Sequence, residues 1–125
     1  MNTILVEVSV GELLDKISIL EIKKEKIKES EKLQFINDEY KVLKDQLDKN
    51  VKFDEKIDKL FQSLKEINAK LWIIEDDKRL CEKNSDFSEK FIKLSRDVHF
   101  LNDNRAKIKL EINHHTGSKI KEIKK

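Results

Sequence analysis

The chain has no proline, two glycines, one cysteine and only three arginines in 125 residues. Each scarcity excludes something. With no proline, and with Gly11 and Gly117 as its glycines, tight turns have few places to form. A multi-stranded β fold is therefore hard to build and long helices are expected. Cys81 has no second cysteine to bond to, so no internal disulfide staples the fold. No apolar run approaches the ~20 residues that cross a bilayer. The opening "MNTILVEVSV" also places no cationic leader ahead of its apolar residues. The expectation is a cytoplasmic protein without membrane insertion.

What the chain has in abundance is charge. Charged residues make up 42% of it, against roughly a quarter in ordinary globular proteins. Combined with an ordinary aliphatic content, this reads as helices with solvated faces and apolar stripes. The formal net charge is +2, but Lys119 to Lys125 hold four lysines and one glutamate, which leaves the rest of the chain slightly acidic. A nucleic-acid domain carries its basic charge on a folded face, so no nucleic-acid partner is expected. Residues 1–118 read as a single helical domain and 119–125 as a lysine-rich tail.

Hydrophobic spacing divides the domain. "TILVEVS" is rich in β-branched residues and reads as a short strand or extended arm. Ser9 and Glu12 have the spacing of a capping box, so a first helix runs from about Val10 to Glu29, with Val10, Leu13, Ile17, Leu20 and Ile27 on one face. A second helix follows Ser30, carrying Leu33, Ile36, Tyr40, Leu43 and Leu47. The third, about Asp54 to Lys83, carries Ile57, Leu60, Leu64, Ile67, Leu71, Ile74 and Cys81. "NSD" breaks it. The fourth carries Phe87, Phe91, Leu94, Val98, Leu101, Ile108 and Ile112 and stops at Gly117, a common helix-ending glycine. Rows that repeat every 3.5 residues over three to four heptads predict coiled-coil-like packing. The fold class is therefore all-α: a bundle of about four helices with long antiparallel hairpins and a short extended N-terminal arm. Apolar residues outside the rows, among them Ile19, Ile22, Phe35, Phe61, Trp72 and Ile92, need cover, and a homodimer supplies it.

Three cations interrupt the rows. Lys24 and Lys78 can lay their stems along the seam with the ammonium in water. Arg105 asks for more, because 24 of the 27 basic residues are lysine and the few arginines supply a planar fork that lysine lacks. All three arginines, Arg79, Arg96 and Arg105, fall between the second half of helix three and the middle of helix four, near the acids of "IIEDDKRLCEK". A hairpin turning near Ser85 sets Glu75 level with Arg96 and Arg105 level with Glu66 and Ile67.

Two readings stand. Either these groups are buried ion pairs that fix helix register, or Glu75, Arg79, Arg96, Asn102, Asp103 and Arg105 line an inter-helix pocket for a small anionic or carbohydrate ligand. Under the first, Arg105→Leu is neutral or stabilising. No Glu-x-x-His repeat, Gly-rich phosphate loop or nucleophile motif occurs. No metal, cofactor or catalytic residue is therefore assigned.

"VSVGELLDKISILEIKKEKI", "LWIIEDDKR" and "DFSEKFIKLSRDVHFLNDNRAKIKLEIN" together resemble a family of short, uncharacterised helical proteins of bacteria and tailed phages, a domain of unknown function. The resemblance implies a setting often among genes for surface-glycan assembly, as for the family's bacterial members. The resemblance implies a set of positions. Gly11, Glu12, Asp15, Lys16, Glu21 and Lys23 match its first motif. Trp72, Glu75, Asp76, Asp77, Arg79 and Glu82 match its second, and Arg96, Asn102, Asp103, Arg105, Lys109 and Asn113 its third. Ile73, Lys78, His99 and the lysine tail depart from its pattern. The functional expectation is a cytoplasmic helical binding or interaction protein with a polar inter-helix site, accessory to surface-glycan metabolism. The alternative is a small all-helical enzyme acting on an anionic metabolite.

Overall fold

A computed structural model describes residues 3–124. Four helices follow one another: α1 (Val10–Lys26), α2 (Ser30–Asn50), α3 (Glu55–Lys83) and α4 (Glu89–Thr116), with no strand among the described residues. The all-α bundle is thus the architecture, and residues 3–9 lead into it without regular structure.

The helix ends follow local chemistry. Ser9 caps α1, its hydroxyl accepting the Glu12 N–H at 3.0 Å. Asp54 caps α3 by accepting the Ile57 N–H at 2.8 Å. Gly117 closes α4 in the left-handed conformation, φ 68°, which costs glycine nothing. Two boundaries differ from the pattern in the sequence. α1 stops at Lys26, and Ile27 is extended instead of continuing the row. Phe87 precedes α4 and stacks edge-on against Phe91 beside the turn.

α3 and α4 form a long antiparallel hairpin, and α1 packs against each of the other three helices. The core lies at the open end of the hairpin, where Leu13, Leu14 and Ile17 of α1 meet Leu47 of α2, Ile57, Phe61 and Leu64 of α3 and Ile112 of α4. Approach of α1 to α4 is closest at Gly11. A Cβ there would stand 2.5 Å from the Lys109 carbonyl oxygen, so only glycine fits.

Toward the turn the hairpin loses its cover. Of the residues from Trp72 to Phe100, Cys81 alone is buried, while Ile73, Leu80, Phe87, Ile92 and Phe100 are 52–55% exposed. Of the residues outside the rows, Ile22 and Phe61 are buried within the chain itself, whereas Phe35 and Ile92 are exposed. Among the described residues no helix is long and apolar enough to cross a membrane.

The segment after Gly117 folds back on the N-terminus of α1. Ser118 Oγ accepts the Val10 N–H at 3.2 Å and the Ser9 hydroxyl donates to the Glu122 carboxylate, while Asn113 Oδ1, in the last turn of α4, accepts the Gly11 N–H at 2.7 Å. Lys124 pairs with Asp103 at 2.5 Å.

Candidate functional site

The arginine in the apolar row of α4 has its answer in α1. Arg105 donates from Nε to Asp15 Oδ1 at 3.0 Å and from Nη2 to Asp15 Oδ2 at 2.5 Å, the two-pronged geometry that lysine cannot make. The Asp15 side chain is 2% exposed and the Arg105 side chain 29%. Asn68 of α3 donates 2.8 Å bonds to Asp15 Oδ1 and to Ser18 Oγ, and Ser18 in turn donates to the Asp15 carbonyl. One buried carboxylate therefore ties three helices together, accepting two hydrogen bonds at Oδ1 and one at Oδ2. The Asp15 carboxylate raises the pKa of the guanidinium above its ordinary value, against the opposing pull of burial.

Beside this clamp, Lys109 pairs with Glu12 at 2.6 Å and stands 3.9 Å from Asp15. The partner of Arg105 is thus Asp15, not Glu66 or its neighbours. That removes the expectation that Arg105→Leu is harmless, since leucine would strand a buried charge.

Arg105 also lines a groove of about 380 Å³ where α1 crosses the hairpin. Ile19 and Ile22 form one wall, with Leu71 and Trp72 behind them. Glu75, Asp76 and Arg79 stand on the side toward the hairpin turn. Clamped through Nε and Nη2, with Nη1 reaching Asn102 Oδ1 at 3.4 Å, Arg105 keeps one N–H on each terminal nitrogen without an acceptor among the described residues. Glu75, Asp76 and Arg79 make no ion pair among the described residues. An aromatic wall, free carboxylates, one free guanidinium and one clamped guanidinium can hold a small polar molecule by stacking and charge-assisted hydrogen bonds.

The structure thus brings together Glu75, Arg79 and Arg105, with Asn102 behind them. It sets two other sequence-predicted residues apart. Arg96 lines a separate hollow of about 340 Å³ with Phe91, Ile92, Ser95, His99 and Phe100, its guanidinium carbon 5.6 Å from the Phe100 ring centre. Arg96 and Glu75 form no pair among the described residues. Asp103 meets Lys124 and His99, 3.7 Å away, not the groove. The Lys124 ammonium keeps the Asp103 carboxyl below its usual pKa. The two lysines that interrupt rows find aromatic faces, Lys24 over Tyr40 and Lys78 over Phe91. Among the described residues no cluster of three or more His, Cys, Asp or Glu is placed to hold a metal ion.

Asp15, Ser18 and Asn68 are the residues that the spacing argument missed. Gly11, Asp15 and Ser18 follow one another at intervals of four and three, so a row of small and polar residues runs up α1 beside its apolar row. Such a row signals a close helix approach around a buried polar group. Asn68 interrupts α3 between Leu64 and Leu71 in the same manner.

Comparison with curated proteins gave no match, and comparison with solved structures gave none. A family model described as "Family of unknown function (DUF6165)" matches residues 4–125, nearly the whole chain, and the protein belongs to that family.

Proposed function

We propose that this protein binds a small ligand that carries both an anionic group and a carbohydrate-like polar face, in the groove between α1 and the hairpin. The observation that carries the reading is Arg105. Asp15 fixes its guanidinium from behind, and its unused N–H groups belong to a side chain that lines a groove shared with Trp72 and Arg79. A guanidinium held in place loses little freedom on binding. In this reading Arg105 and Arg79 take the anionic group, Trp72 stacks on an apolar ring face, and Glu75 and Asp76 accept from hydroxyls.

The resemblance to proteins near surface-glycan genes favours a sugar derivative and an accessory role in that metabolism. A single buried free thiol, Cys81, suits a cytoplasmic setting. The protein acts as a homodimer, because its outer hairpin is apolar and uncovered.

Thermal-shift and titration measurements with inorganic phosphate, hexose phosphates and uronic acids test the assignment. A ligand present at about 100 times its dissociation constant stabilises the fold by about 2.7 kcal/mol. We expect such a shift for at least one sugar anion, and Arg79→Met and Trp72→Ala should each abolish it while leaving the unliganded melting temperature within a few degrees. No protection by any of these compounds, or protection unchanged in both variants, would remove the ligand from this groove.

A further inference from the structure

The arm before α1 and the hollow around Arg96 are each unfinished, and they suit one another. Ile4, Leu5, Val6 and Val8 are 42–94% exposed, and the arm's single charge is Glu7. The hollow on α4 is walled by Phe91, Ile92 and Phe100 and rimmed by Arg96. Neither Glu7 nor Arg96 has an ion-pair partner among the described residues.

Glu7 cannot reach Arg96 of its own chain. It is anchored at Asn113 and Ser118 through the first N–H groups of α1. From Asn113 back to Arg96 is about 25 Å along α4 at 1.5 Å per residue. Glu7 lies two residues before Ser9 and extends at most about 7 Å from it. A Glu7–Arg96 pair therefore requires a second chain.

We propose that the arm of each protomer seats in the hollow of a second copy, with the arm's apolar residues against Phe91, Ile92 and Phe100 and Glu7 paired with Arg96 of that copy. The arrangement is isologous, each chain giving an arm and receiving one about a twofold axis. Each aliphatic side chain covered removes roughly 60–120 Å² from water. Two arms with the two hollows they fill bury on the order of 1,400 Å², within the range of stable dimers. Opposite charges at the rim fix the register of an otherwise featureless apolar contact. This rests on the homodimer reading above and assigns it a surface.

Charge reversal tests it on the full chain, because both residues are exposed and neither variant disturbs the core. Sedimentation equilibrium should show a dimer at micromolar concentration. Glu7→Arg or Arg96→Glu alone should raise its dissociation constant about tenfold or more, and the double reversal should restore it. Val6→Cys combined with Ser95→Cys should oxidise to a species of twice the chain mass. A dimer indifferent to both single reversals and not cross-linked by that cysteine pair would overturn the arm contact and leave the homodimer to another face. A native chain that stays monomeric at about 100 µM would overturn both.

Discussion

The two halves of the α3–α4 hairpin carry equally regular apolar rows and meet opposite fates. In the half near the open end, α1 lies across the hairpin, and Ile57, Phe61, Leu64, Asn68, Leu71, Ile112 and Asn113 are buried. In the half near the turn the same helices continue without cover, and Cys81 alone is buried. Periodicity specifies that two helices pair; whether a third covers them depends on the path of α1. That path is set by Gly11, which permits the close approach, and by Asp15, which needs Arg105 and Asn68 as partners. The polar groove lies where the covered half gives way to the open one.

The sharpest way to break this contrast is to remove the clamp. Arg105→Leu should cost about 3–5 kcal/mol, because it leaves the Asp15 carboxylate buried and unpaired. Asp15→Leu combined with Arg105→Leu should recover most of that loss. Urea denaturation of both variants decides the matter: a neutral single variant would mean that the covered half does not depend on the pair. Next in size is Gly11→Ala, which drives a methyl group into the Lys109 carbonyl and should cost about 1–3 kcal/mol through overpacking. Leu80→Ser in the open half should change stability by less than about 0.5 kcal/mol, as surface substitutions do. Equal losses for these two would erase the distinction between the halves.

The smallest effect is one of pH. The hydrogen bond with His115 lowers the Asp54 pKa, and the one with Lys124 lowers that of Asp103. A folded-state pKa below the unfolded value contributes stability at pH above the unfolded value, and that contribution is lost as the pH falls through the folded one. Calorimetry should therefore show an acid-side decline beginning near the ordinary aspartate value of about 3.9. Asp103→Asn should make that decline slightly shallower, leaving the neutral-pH melting temperature almost unchanged.

Much of the fold was legible in residues whose signals are local. Ser9, Asp54 and Gly117 mark helix ends by their own hydrogen bonds and conformation, and the rows around Leu64 and Leu101 announced the hairpin. The end of α1 at Lys26 was not legible, since no proline or glycine marks it and Ile27 continues the apolar spacing. Of the candidate site, Glu75, Arg79, Asn102 and Arg105 were within reach of sequence because they lie on the hairpin's own helices. Asp15 was visible as a matching position but not as the partner of Arg105. That pairing spans 90 residues and depends on the angle at which α1 crosses, which no spacing within α4 reports. Arg96 and Asp103 were grouped with the others on sequence proximity, and the faces of α4 separated them.

The fold-back after Gly117 bears on the order in which the molecule assembles. Ser9 reaches Glu122 across 113 positions and Gly11 reaches Asn113 across 102, so the first helix is completed by residues made after the other three helices have begun. While α2 and α3 are emerging from a ribosome, the leading N–H groups of α1 have only Ser9 and water to satisfy them. Asp15 likewise has no arginine to meet until α4 is made. The nascent chain can form helices early, but it cannot lock α1 in place until α4 is free of the ribosome, so the final collapse waits for the fourth helix. Loop-closure entropy is then met once, at the end, and not helix by helix.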